Sequence, residues 1–190
     1  MVRHPTDTRD RIVQTARNLF SSYGFGGTSL HDILSAVGIT KGAFYHYFKS
    51  KEALGEIVLD QAVAEHHHAA QALQEELVGP DSLRRWLTLI TEQNTSGQWL
   101  NGRLLTRMTI ECLQLSPGMQ SRLRTFWRWY QNFYETLLRR SLGATFPHEQ
   151  IPVLARHLIC SQFGAIWLDR CVRPKDDPRR AIAMLLDSLL

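Results

Sequence analysis

Cysteine is scarce in this chain: Cys112, Cys160 and Cys171 stand far apart, with no Cys-x-x-Cys pair. That spacing excludes a disulfide framework and a zinc knuckle, and it predicts a reducing, cytoplasmic setting. No run approaches the roughly 18 consecutive apolar residues that a membrane span requires, and no charged-then-apolar leader opens the chain. The expectation is a soluble, unexported protein. The alternation of β-branched and polar residues that marks strands is also missing, as are internal repeats and low-complexity linkers. A large charge of one sign is absent too. A net charge of +4 and a pI near 9.2 lean basic without approaching a polycation.

What is present is helical periodicity. With 190 residues, 44% of them hydrophobic, the chain can bury a real core. Its pattern predicts an all-α fold of about nine helices, in a head (residues 1–50) and a body (51–190). Thr6 or Asp7 opens a first helix with an apolar stripe of Ile12, Val13, Ala16, Leu19 and Phe20, ended by glycines 24, 26 and 27. A long helix is expected from about Lys51 to Leu77, capped by Ser50 and broken at Gly79-Pro80. Another starts at Asp81, and a further one ends near Leu115. Ser116-Pro117 restarts the chain as a cap followed by proline at the first helical position. Later helices begin near Pro147 and at Ala181.

The basic charge lies at the front. Up to Gly55 there are seven Lys or Arg against four acids, and the rest is nearly neutral. Residues 28 to 51 then form two short helical segments joined by a glycine. Thr28 or Ser29 caps the first, whose apolar positions are Leu30, Ile33, Leu34 and Val37, and Gly38 ends it. Thr40 caps the second, in which Phe44 and Phe48 lie four apart and pin the helix to a core. This is a helix-turn-helix pattern, which places its second helix in a DNA major groove. Lys41 reaches a guanine edge or a phosphate, and Gly42 and Ala43 allow close backbone approach. Tyr45 suits a phosphate, and His46 a phosphate or a base edge. Lys49 is a weaker candidate.

This stretch, with Phe-Tyr-His-Tyr-Phe-Lys-Ser-Lys-Glu-Ala-Leu at 44–54 and Gly24, Thr28, Ile33, Gly38, Tyr45, Phe48, Lys51 and Leu54 at matching spacing, resembles the tetracycline-repressor family of transcriptional regulators. The likeness covers about residues 6 to 55. It implies a homodimer that binds double-stranded operator DNA and responds to a small-molecule effector, most simply as a repressor. The DNA-facing set it implies is Thr28, Ser29, His31, Thr40, Lys41, Gly42, Ala43, Tyr45, His46, Lys49 and Lys51. By the same analogy Trp86, Arg103, Arg107, Phe126, Phe133 and Phe163 are the candidates to hold an apolar or aromatic effector. The broad apolar faces of the last two helices suggest a twofold partner, at Ile151, Leu158, Gly164, Ala165, Trp167, Ile182, Leu185 and Leu189.

Other readings stay open: an activator, an effector-independent DNA binder of the same fold, or a helical enzyme. The last needs converging acid, base or nucleophile positions, and the pattern shows none; His157 and Cys160 share a helical face with no third group. His66, His67 and His68 diverge by about 100° per residue, so they do not converge on one ion. No metal or cofactor is expected.

Overall fold

The computed structural model describes residues 5–76, 81–95, 100–142 and 146–171, and within them every regular element is helical. The α-helices are α1 (Pro5–Tyr23), α2 (Leu30–Val37), α3 (Lys41–Tyr47), α4 (Lys51–Glu76), α5 (Ser82–Thr95), α6 (Leu100–Ile110), α7 (Pro117–Ser141) and α8 (Ile151–Cys171). Single 3-10 turns follow α6 and precede α8. The helix expected at 181–190 lies outside the described residues.

Side-chain caps set several of these boundaries. Ser50 Oγ accepts the Ala53 amide at 3.1 Å at the head of α4, and Ser116 Oγ accepts the Met119 amide at 3.3 Å beside Pro117. No helix among the described residues is long and apolar enough to cross a membrane.

Contacts divide the chain into two compact units, Met1–His68 with Leu100–Phe126, and Ala69–Trp99 with Trp127–Leu190. The expected boundary at residue 50 falls inside the first, which holds the head together with most of α4, all of α6 and the start of α7. Its core follows the stripes read from the sequence. Ile12, Val13, Ala16 and Phe20 of α1 are buried, and α1 packs on α2 and α6. Leu54, Val58, Leu59, Ala62 and His66 form the buried line of α4. His66 sits edge-on to Phe126, ring centroids 5.3 Å apart, and its burial pushes its pKa down to about 4. His68 is exposed, so the three histidines do diverge, and the described residues contain no grouping able to hold a metal.

The second unit is an aromatic nest. Trp86 of α5 meets Phe133 of α7 edge-on with centroids 4.7 Å apart, and Trp127 meets Phe163 of α8 at 4.9 Å. Buried Gln162 of α8 accepts from the hydroxyls of Tyr130 and Tyr134, which fixes where α8 lies along α7. Burial removes these phenols from water and pushes both pKa values up, Tyr134's well above the usual range.

Candidate nucleic-acid interface

The local chemistry of residues 28–50 builds a rigid two-helix device. Ser29 caps α2 reciprocally: its Oγ accepts the Asp32 amide at 3.1 Å, while the Asp32 carboxylate accepts the Ser29 amide at 2.8 Å. The Ser29 hydroxyl, which also donates to Asp32 Oδ2 at 2.7 Å, and the Ser29 amide hold the exposed Asp32 carboxyl below the ordinary carboxylate range. Gly38 ends α2 in the left-handed region at φ 74°, and the amides of Gly38 and Ile39 both donate to Leu34 O. Thr40 then caps α3, its Oγ1 accepting the Ala43 amide at 3.2 Å.

A seven-residue helix is not stable alone, so α3 depends on what it buries. Phe44 is fully buried and Phe48 nearly so, their centroids 5.5 Å apart. Burying two phenylalanines contributes about 3 to 6 kcal/mol. With that face pinned, Lys41, Gly42, Tyr45 and His46 point outward, together with Lys49 just beyond the helix. Tyr45 keeps 48% of its surface, and the Lys41 ammonium lies 6.0 Å from its ring centre. Ser29, His31 and Thr40 are exposed alongside, and Ala43 is half-buried. The result is a cationic, hydrogen-bonding ridge, backed by core on its other side.

Two expected DNA contacts face inward instead. Thr28 is buried, and its Oγ1 donates to Gly24 O at 2.7 Å, closing the α1–α2 turn. Lys51 Nζ donates to Phe25 O at 2.9 Å and Thr28 O at 2.8 Å, and it stands 4.1 Å from the centre of the Phe25 ring. Burial pulls its pKa down, opposed by the charges of Glu52, Glu111 and Asp32. Glu111, just after α6, went unnoticed in the sequence. Its Oε2 accepts the Gly26 amide at 2.8 Å, and its carboxylate fills the space beside Gly24, whose φ of 84° itself favours glycine. Cation and anion thus grip one turn from two directions.

Much of the frontal basic charge is likewise engaged internally. Arg11 Nη2 donates to Val37 O at 2.9 Å, Arg17 Nη1 bonds Glu65 at 2.8 Å, and the Arg9 guanidinium lies 5.6 Å from the Phe48 ring centre.

The expected effector residues are divided between the two units. Trp86 and Phe133 touch each other in the second unit, where both are buried core, and Phe163 packs on Trp127 and Tyr130. Phe126 is buried against His66 in the first unit, where Arg103 and Arg107 are partly exposed. Among the expected partner contacts, Ile151 and Leu158 are buried within their own chain, since they lie on the α8 face that carries Ala155 and Gln162. Gly164 is exposed; the side chains of Ala165 and Trp167, and residues 182, 185 and 189, lie outside the described set.

A capped helix pair with a pinned inner face and an exposed Lys-Gly-Tyr-His ridge defines a helix-turn-helix DNA-binding regulator. Known proteins agree. Residues 12–56 match the bacterial regulatory proteins of the tetR family. The HTH-type transcriptional repressor DhaR of Mycobacterium sp. (strain GP1) is 26% identical over 97% of this chain and 93% of its own. The HTH-type transcriptional repressor NemR of Escherichia coli (strain K12) is 34% identical over 60% of this chain and 59% of its own. The crystal structure of reduced E. coli NemR superposes with a TM-score of 0.75 at 25% identity, covering 94% of each chain. A TetR-family regulator from Agrobacterium tumefaciens shares the fold with a TM-score of 0.78 at 21% identity, over 89% of this chain and 90% of that one. Residues 12–56 thus match the tetR-family DNA-binding region, and the chain as a whole shares the fold of TetR-family regulators.

Proposed function

We propose that this protein is a cytoplasmic homodimeric repressor. Its two α3 helices occupy successive major grooves of an operator and leave it when a small apolar or aromatic molecule binds the helical body. The exposed ridge of α3, fixed by buried Phe44, carries this reading. A helix this short offers few base contacts, so a twofold pair over a pseudo-palindromic site is the physical remedy. The sign of regulation follows DhaR and NemR, both named as repressors. Effector and operator then weaken each other's binding by one shared free energy, typically about 1 to 3 kcal/mol.

The test is binding of the purified protein to DNA from its own promoter region across a salt series, with mass determined in parallel. A dimer is expected, with log affinity falling linearly as log salt rises, by about 0.9 per phosphate contacted. Salt-insensitive binding, or a monomer on the DNA, would overturn the proposal.

Gly42 gives a sharper prediction. A Cβ there would meet nothing nearer than Thr40 Oγ1 at 3.9 Å, so the fold does not require glycine. Glycine costs a helix up to about 1 kcal/mol relative to alanine. Gly42→Ala is therefore expected to raise the melting temperature and yet weaken operator binding, because the methyl group occupies the closest approach of backbone to groove. Unchanged or tighter operator binding would show that nothing approaches Gly42.

A further inference from the structure

Helix α8 has two faces of different character. Ile151, Ala155, Leu158 and Gln162 are buried on one side; Val153, His157, Cys160 and Gly164 are exposed on the other, with Arg156 at its edge. The exposed four are spaced by four, three and four residues, so they form one stripe along the helix. None of them carries a fixed charge, and Val153 keeps 72% of its surface. A helix face meant only for solvent carries charged and polar groups along its middle. At Gly164 an added Cβ would meet nothing within 4 Å, so nothing among the described residues calls for a glycine that costs a helix up to about 1 kcal/mol.

The stripe is arranged to meet a copy of itself. Its centre falls between His157 and Cys160. Where a second α8 crosses it there, antiparallel about a twofold axis, Val153 stands opposite the partner's Gly164 and His157 opposite the partner's Cys160. The first pairing sets a bulky side chain into a gap, and the second gathers two imidazoles and two thiols at the axis. His157 and Cys160 of one chain lie one turn apart, with Cβ atoms at the roughly 5 to 6 Å that lets both reach a single ion. One chain supplies two ligands, and a closed tetrahedral site needs four. No grouping of three metal-binding side chains occurs among the described residues of one chain; the twofold supplies the missing pair. Cys160 is a free thiol, and neither it nor His157 is engaged elsewhere among the described residues.

We propose that two α8 helices bind one zinc-like divalent ion on their twofold axis, through His157 and Cys160 of both chains. Two thiolates with two imidazoles select zinc over hard, oxygen-seeking cations such as magnesium and calcium. Each thiol gives its proton to solvent as it coordinates, so two protons leave per ion and affinity falls as the pH falls. The site rests on the homodimer proposed above, because one chain provides half of it. The absence of a third group beside His157 and Cys160 holds for one chain only.

The test is titration of cobalt(II), whose visible absorption reports thiolate ligation, into full-length, reduced, metal-free protein, with mass determined before and after. One cobalt per two chains is expected, displaced by zinc. Cys160→Ser is expected to abolish the thiolate band. His157→Ala should weaken binding by at least about ten-fold, the least that loss of even an outer-shell partner costs a metal site. Cys112→Ser, a thiol of the other compact unit, should leave both band and affinity unchanged. No thiolate band, one metal per chain, or a band that survives Cys160→Ser would overturn the proposal. The mass separates the site from the dimer: a metal-free dimer that takes no cobalt removes the site alone, whereas a chain that stays monomeric with and without metal removes both.

Discussion

A dimer carrying Lys41→Ala and Tyr45→Ala in both heads is expected to lose about a thousandfold in operator affinity while melting where the parent melts. The double substitution removes four contacts. At about 1 kcal/mol each they amount to about 4 kcal/mol, which is close to three decades at about 1.4 kcal/mol per decade. Stability is spared because both side chains are exposed and alanine is a better helix former than tyrosine. The adjacent position supplies the contrast. Phe44→Ala empties a fully buried site and should cost about 3 to 5 kcal/mol of folding free energy, enough to collapse the head. Affinity is measured by fluorescence anisotropy and stability by thermal denaturation. Should the double variant melt much earlier than the parent, Lys41 and Tyr45 would belong to the core and the ridge would have to be sought elsewhere.

The contrast between Phe44 and Tyr45 is legible in the sequence, because the fixed 100° step of a helix decides which residues share a face. Caps were legible for the same reason: Ser29, Thr40, Ser50 and Ser116 act on amides within three residues of themselves. Long-range partners were not. Glu111 lies 85 residues from the Gly26 amide it accepts, and no local pattern announces that pairing. The count of frontal cations misled similarly, since charge in a sequence does not reveal that Arg11 serves Val37 O or that Arg17 serves Glu65. Apolar periodicity marks an inward face without saying whether the interior beyond it is filled, hollow or supplied by a partner. Trp86 and Phe133, expected at an effector, and Ile151 and Leu158, expected at a partner, are all buried within the single chain, and the apolar pattern that marked them as inward does not distinguish these roles.

Lys51 divides two accounts of the head that a sequence cannot separate. As a phosphate contact, its loss would lower operator affinity and flatten the salt dependence by about 0.9 per head, while stability stayed put. The observed geometry predicts the opposite. Its ammonium satisfies two carbonyls at the two ends of the Phe25–Thr28 turn, and the turn's Gly26 amide is held by Glu111. Lys51→Met keeps much of the apolar stem and removes only the donor, leaving Phe25 O and Thr28 O without it and Glu111 without its nearby cation. Two charge-assisted hydrogen bonds at a partly exposed site correspond to about 2 kcal/mol, so the variant is expected to unfold at lower denaturant with its salt slope intact. Operator affinity would fall only as far as the turn loosens its grip on α2 and, through Gly38, on α3. A variant of parental stability with a flattened salt slope would mean that the ammonium leaves the turn for a phosphate when DNA arrives. The turn would then be held by Glu111 and by the Thr28 hydroxyl on Gly24 O, and a phosphate contact would be taken up only at the cost of the ammonium's two bonds to the turn.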